Sequence, residues 1–366
     1  MRCGKAAFLY SSGILSPFTY DFELIGFGLY KGLYYVVNLN TICLPVVMVV
    51  IFSIMLGSSP GMAETTKIRI GVLAYGTVNW ELETAQHHNL DKVEGVELVI
   101  TQFSGKHASA IALQGGAVDA IVTDWIWVSR QRSSGADFTF VPHSVAVGGL
   151  MVRPDAGIKS LEDLRGRKIG IAGGPVDKSW LMLRAFAKKK IGVDLQEVVD
   201  PTFAAPPLLN KIMLKGEIPA ALNFWHYAAR LKAAGMIELV SVNELLPALG
   251  VEGQPPLIGW VFSEKWAASN ADTVKGFLRS TRATKQLLGS SDSEWDRLRS
   301  LTKASNEATF VALRDAYRAG IPRSFSDKDI VAAEQLFSIL VEYGGRDLVG
   351  DNTSLAAGTF WSGFRY

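Results

Sequence analysis

Gly116-Ala-Val-Asp-Ala-Ile-Val-Thr-Asp-Trp125 and Gly216-Glu-Ile-Pro-Ala-Ala-Leu-Asn-Phe-Trp225 align without a gap. Both run from a glycine through aliphatic residues and a shared alanine to a polar residue and a tryptophan. Each follows a short stretch of helical periodicity, residues 108–114 and 208–214. Each therefore reads as a helix, a glycine turn, an apolar strand and an exposed polar-aromatic tip. Two lobes of similar α/β architecture would carry one copy each. The bland alternative is a chance match between strands of like composition.

Working outward, residues 67–72 alternate as a strand, 81–90 read as a helix, 96–103 as a second strand and 117–122 as a third. The pattern resumes with a strand at 168–172, a helix over 178–190, a strand at 197–199 and a strand at 218–222. From Ala267 onward the chain is predominantly helical, and the Gly/Pro-rich stretch 250–259 separates these regions. Strands separated by helices imply parallel pairing with right-handed crossovers, hence an α/β sheet with helices on both faces.

The composition agrees with such a fold. The chain has 366 residues, 48% hydrophobic and 20% charged, enough for two ordinary domains and unlike a disordered chain, a fibre or a disulfide scaffold. With 37 Lys+Arg against 35 Asp+Glu the net charge is +2, and no basic cluster indicates a nucleic-acid partner; Lys188-Lys189-Lys190 reads as a solvated helix end.

Much of the apolar excess lies before residue 64. The run CLPVVMVVIFSIML, residues 43–56, falls short of the roughly 20 residues needed to span a bilayer but fits the apolar segment of a secretory signal. Gly61 and Ala63 supply small cleavage-site residues, and cleavage is expected after Ala63. The alternative is a membrane anchor extended by the apolar stretch 24–37. Both cysteines, Cys3 and Cys43, would leave with the leader, so the mature chain would hold no disulfide and no thiolate-metal site, which suits an oxidising compartment.

Several segments resemble one family. They are Ile68-Arg69-Ile70-Gly71, then Phe103-Ser104-Gly105 leading into Ala112-Leu113-Gln114-Gly115-Gly116-Ala117-Val118-Asp119-Ala120. Further on come residues 157–170, GIKSLEDLRGRKIG, and Val261-Phe262-Ser263-Glu264-Lys265-Trp266. Over residues 67–340 the chain resembles the substrate-binding proteins of ABC importers of the nitrate, taurine, aliphatic-sulfonate and thiamine-precursor group. Pro219 departs from the pattern, since the family's second glycine-aliphatic-Asp-Ala turn usually carries Asp there.

The resemblance implies a two-lobed periplasmic binding protein fold of type II, with the ligand buried between the lobes. Residues 1–63 would be the leader, 64–149 with 258–366 the first lobe, and 150–257 the second. The chain would cross between them near 145–153 and 257–263. It further implies a periplasmic monomer that binds a small molecule and serves a membrane permease and its ATPase, with no cofactor and no metal.

Ligands of α/β sheets bind beyond the carboxyl ends of the strands. Those ends place Thr77, Asn79 and Trp80 in the cleft, with Ser104 and Gly105 beside them. Thr123, Asp124 and Trp125 come from the third tip, and Asn223, Trp225 and His226 from its counterpart. Tryptophan faces favour a planar heterocycle or a cationic amine, by roughly 0.5–2 kcal/mol per ring for a cation, and Asp124 would supply the opposite charge. Taken singly, each tryptophan also fits a core or interface filler.

The loop ahead of Trp180, with Gly174, Pro175, Asp177 and Ser179, admits two readings. Free N–H groups at a helix start attract an anion such as sulfonate or carboxylate. Alternatively, Pro175 opens the helix and Asp177 caps it, with no ligand needed. It is no Walker A motif, because Asp177 stands where the glycine before Lys-Ser belongs.

Catalytic motifs are absent: the five histidines show no HExxH spacing, and there is no GxSxG or Rossmann fingerprint. The leading expectation is therefore a receptor for a small organic solute, an amine, heterocycle, sulfonate or zwitterion, and not an enzyme. The alternatives are an enzyme on the same fold, similar to proteins of thiamine-pyrimidine synthesis with His226 or His107 reactive, or an exported module serving a sensor or a periplasmic dehydrogenase.

Overall fold

The computed structural model describes residues 65–364. The expected export signal and its cleavage point lie outside them. No helix among the described residues is long and apolar enough to cross a membrane.

The first half of the chain builds β1 (Thr66–Leu73), α1 (Val78–His87), β2 (Val96–Phe103), α2 (Lys106–Gln114), β3 (Ala120–Asp124), α3 (Trp125–Ser133) and β4 (Phe138–Ser144). The chain then enters β5 (Gly149–Val152), β6 (Lys168–Ala172), α4 (Lys178–Ile191), β7 (Asp200–Ala204), α5 (Pro206–Leu214), β8 (Ala220–Asn223), α6 (Trp225–Ala233), β9 (Ile237–Ser241) and α7 (Val242–Leu249). It returns through β10 (Ile258–Ser263) and ends in α8 (Ala271–Ser290), α9 (Asp292–Thr302), α10 (Glu307–Ala319) and α11 (Asp327–Val349).

Two five-stranded sheets result, ordered β2-β1-β3-β10-β4 and β7-β6-β8-β5-β9. They share one plan. In each, three strands pair in parallel, while the fourth is antiparallel to both its neighbours. The purely parallel sheet expected from the strand–helix alternation is thus a mixed one. The fourth strands, β10 and β5, arrive directly from the other lobe and need no helical crossover, so nothing obliges them to run parallel. The two Gly-to-Trp segments occupy equivalent positions, ending in β3–α3 of one sheet and β8–α6 of the other.

A second correction concerns residues 197–199, expected as a strand. Asp194 accepts a hydrogen bond from the Gln196 N–H and starts a helical turn, Leu195–Val198; the strand β7 follows it. β7 is an edge strand, which is where its Pro201 can be tolerated.

The chain leaves the first sheet after Ser144 and enters the second at Gly149. In this crossing Gly148 runs against the tip of β8, so that a Cβ on it would sit 1.6 Å from the Asn223 carbonyl oxygen. Only glycine permits that approach.

The largest apolar core draws on both sheets, with Ile121 and Trp125 from one and Ile169 and Trp180 from the other. The C-terminal helix α11 closes over it through Ala332, Leu336, Phe337 and Leu340. Trp125 is wholly buried, its ring 6.3 Å from that of Phe337. Trp125→Ala is expected to lower stability by about 3–5 kcal/mol in urea unfolding, through the cavity it leaves.

Candidate functional site

The carboxyl ends of the strands in both sheets meet around a cavity of about 210 Å3. The first lobe supplies Thr77, Lys106, Ser109, Thr123 and Asp124 to its wall, and the second supplies Asp177, Lys178, Ser179, Trp225 and His226. The crossing segments close it with Val147, Gly148, Leu257 and Ile258.

The polar residues stand there because helix starts follow the strand ends. Asp124 ends β3 in extended conformation, and its Oδ1 accepts from the Trp127 N–H at 2.9 Å, capping α3. Asp177 caps α4 in the same way, its Oδ1 accepting from the N–H groups of Ser179 at 3.0 Å and Trp180 at 3.4 Å. Gly173, at φ +85°, turns the chain into that cap, and a Cβ there would lie 2.5 Å from Asp177 Oδ2. Of the two readings of this loop, capping is the one the hydrogen bonds show: the carboxylate occupies the N–H groups that an anion would use.

The electrostatics of the cavity turn on Lys178, which donates to Asp124 Oδ2 at 2.6 Å across the two lobes. Burial opposes ionisation of Asp124, but the charges of Lys178 and Lys106 and the bonds from Lys178 and the Trp127 N–H hold its carboxyl below the usual range. Burial also disfavours the Lys178 charge, yet Asp124 and Asp177 keep that ammonium above its ordinary value. Burial pushes the Asp177 carboxyl up, against the pull of both lysines. Lys106, exposed at the edge of the cavity, is lowered chiefly by the charge of Lys178. Asp124, expected to supply the charge opposite a cationic ligand, lines the cavity with one oxygen accepting from the Trp127 N–H and the other from Lys178.

Of the residues expected in the cleft, Thr77, Thr123, Asp124, Asp177, Ser179, Trp225 and His226 come together around the cavity. The others lie elsewhere. Asn79 ties down its own turn, donating to the Leu73 and Gly76 carbonyls. Ser104 accepts the Tyr75 hydroxyl on its carbonyl, and Gly105 caps α2. Gly174 and Pro175 form the turn ahead of Asp177, and Asn223 donates to Pro206 O and Asn210 Oδ1.

Among the tryptophans, only Trp225 of the four lines the cavity. Trp125 and Trp180 are 0% exposed, and Trp80 packs edge-on against Trp225 and Trp295. An indole following a strand tip begins a helix, and three of the four turn inward, where their large area is removed from water. Lys106 and Lys178 also line the cavity, and the sequence does not single them out although each opens a helix that follows a strand. Their signal was position alone, because a lysine at a helix start reads as solvated.

His226 lines the cavity with its Nδ1 buried and unbonded, and burial, then the Arg230 charge, lowers its pKa to about 3. Near pH 7 it is a neutral imidazole, and among the described residues no carboxylate bonds its Nδ1 as the orienting partner of a general base would. Among the described residues no three of His, Cys, Asp and Glu converge as metal ligands.

Deeper in the first lobe, Lys285 donates to Glu81 Oε1 at 2.6 Å, and His143 Nε2 lies 3.4 Å from the same oxygen. All three side chains are at most 5% exposed. Burial, with the Lys285 charge and against that of Glu81, lowers His143 from 6.5 to about 4. Between those values the unfolded chain carries a proton on this residue that the folded chain lacks, so unfolding takes one up. Its contribution to stability is therefore greatest above pH 6.5 and falls as the pH drops toward 4, by up to about 1.4 kcal/mol per pH unit. Urea unfolding between pH 7 and 5 is expected to show a smaller loss for His143→Gln than for the unaltered protein.

No curated protein matches the chain by sequence. Among solved structures, the chain is similar to the alkanesulfonate-binding protein SsuA from Xanthomonas axonopodis pv. citri bound to MOPS, with TM-score 0.62, 18% identity, and 82% of this chain and 99% of that one covered. It is similar to the periplasmic aliphatic sulphonate binding protein SsuA from Escherichia coli, with TM-score 0.64, 18% identity and coverage of 81% and 97%. A ligand-binding component of an ABC-type import system from Staphylococcus aureus, with zinc bound, gives TM-score 0.60, 13% identity and coverage of 81% and 96%. These likenesses establish the fold as that of type II periplasmic binding proteins. The model of the family described as NMT1/THI5 like matches residues 82–289, more than half of the sequence, and the chain therefore belongs to the NMT1/THI5-like family.

Proposed function

We propose that the protein is an exported receptor that captures a small organic solute between its two lobes and delivers it to a membrane permease driven by an ATPase. The observation that carries this reading is the cavity itself, walled by strand ends of both sheets and by both crossing segments. A solute bound there touches both lobes at once, so that capture and closure are one event. Closure excludes water and strengthens each polar contact made inside. The binding proteins with the same fold support the reading.

On this reading, residues 65–149 with 258–364 and residues 150–257 move as two bodies about the crossings, and Lys178–Asp124 holds them together in the absence of solute. Lys178→Ala is then expected to open the unliganded protein, seen as a larger radius of gyration in solution scattering. An unchanged radius argues against the latch.

Native mass spectrometry of the gently purified protein tests the function. A retained small molecule of defined mass, released on unfolding, is the expected result, and its addition back should raise the melting temperature. Conversion of that molecule on incubation, lost in His226→Ala with the fold intact, would instead make the protein an enzyme.

A further inference from the structure

In the first lobe, α8 and the chain that leaves α10 enclose a recess of about 280 Å3, which shares no wall residue with the cavity between the strand ends. Arg282, Lys285 and Gln286 line it from α8, and Arg318 and Arg323 from the end of α10 and the turn beyond. The three α8 residues stand three and four positions apart and so share one face of the helix. Every charged residue in the wall is a cation.

The fold accounts for two of the four. Lys285, 5% exposed, donates to Glu81 Oε1 at 2.6 Å. Arg318 pairs with Asp292 at 2.7 Å, a carboxylate it shares with Arg314 at 3.4 Å, and its Nε donates to the Leu288 carbonyl. Trp295 Nε1 donates to the same carbonyl at 2.8 Å. That oxygen, near the end of α8, would otherwise repel an anion, and both its lone pairs are taken.

Arg282 and Arg323 are different. Both are exposed, and neither has a hydrogen bond or ion pair among the described residues. With Glu81 and Asp292 set against Lys285 and Arg318, these two guanidinium groups remain as an unbalanced pair of positive charges on one concave wall. Like charges gathered around a recess raise its potential, and an anion seated there relieves it. Guanidinium groups present planar forks of donors. A carboxylate has two oxygens to meet them, whereas a phosphate group brings three strong acceptor oxygens and about two charges, which matches both the surplus and the number of forks.

We propose that this recess binds a phosphate group, gripped by Arg282 and Arg323, with Lys285 and Arg318 completing the positive wall. The site is separate from the solute cavity and stands whether or not the receptor reading holds.

The test uses the full chain labelled with nitrogen-15, at ionic strength held constant with sodium chloride, and follows the arginine Nε–H resonances as inorganic phosphate is added. The signals of Arg282 and Arg323, assigned by substitution, are expected to move along one saturable curve with Kd at or below about 1 mM. Arg282→Gln and Arg323→Gln should each weaken binding about five- to tenfold, roughly the loss of one charge-assisted hydrogen bond, and should weaken it further when combined. Both side chains are exposed, so the melting temperature should hold. Lys188→Gln, Lys189→Gln and Lys190→Gln combined, which removes a run of cations on α4, should leave the affinity unchanged. Sedimentation with phosphatidylcholine vesicles, with and without phosphatidic acid, separates the two sources of the group. Phosphatidic acid-dependent sedimentation lost in the Arg282→Gln/Arg323→Gln variant makes it a lipid headgroup, and binding of inorganic phosphate without sedimentation makes it a soluble phosphate. Binding of neither source overturns the proposal. So do acetate shifts equal to those of phosphate, an affinity unmoved by the double variant, or one lowered as far by the α4 variant.

Discussion

The architecture depends on how closely the chain can pass itself where it crosses from one sheet to the other. Gly148 lies against the Asn223 carbonyl so tightly that a single added carbon would meet the oxygen at 1.6 Å. That contact puts the first crossing segment on the tip of the second sheet's strand β8, and with it the carboxyl ends of both sheets face one space. Hydrogen bonds from Val145 N and Ser144 Oγ to the Gly320 carbonyl fasten the same segment to the end of α10. Backbone approach at this crossing, together with the apolar core that both sheets share, thus sets where the cavity lies.

Around that space the protein places charges that water would ordinarily claim. Lys178 and Asp124 face one another across the lobes with side chains only 18% and 11% exposed. Removing two ions from water costs several kcal/mol each, and their attraction offsets this only where geometry is good and remaining valences are filled. Here Asp124 also accepts the Trp127 N–H, so each oxygen has a donor. The buried Glu81–Lys285–His143 group follows the same logic behind the site, with the imidazole kept neutral by burial. An aromatic cluster of Trp80, Trp225, Trp295 and Tyr317 has rings that meet at 5.1–6.3 Å. Trp225 belongs to α6 and the other three to α1, α9 and α10, so the cluster joins the helices that follow opposite sheets.

Much of this was legible in the chain. The gapless match of residues 116–125 with 216–225 corresponds to two equivalent strand–helix units, β3–α3 and β8–α6, and the helix start at Asp177 could be read from residue type. The strand at 200–204 was displaced in the reading because Val198 and Val199 look like strand residues, while the Asp194 cap that turns the preceding stretch into a helical turn is a weaker signal. The tryptophans were harder. Trp125 and Trp225 are equivalent in sequence, yet one is wholly buried under α11 and the other lines the cavity. The helix that covers Trp125 comes from residues more than two hundred positions away.

What the sequence determined by itself is local and repetitive: the alternation of strand and helix, the caps, the turn glycines and the doubling of one unit, all set by hydrogen bonding and periodicity within a few residues. Tertiary structure alone decided the rest. It turned the fourth strand of each sheet antiparallel, because that strand enters from the other lobe. It paired Asp124 with Lys178 and left Lys106 facing them, because charges from two lobes combine only when both sheets present the same end to one space. It left Trp225 lining the cavity while burying its counterpart, because the side of a helix start that stays open depends on which distant helix packs against it.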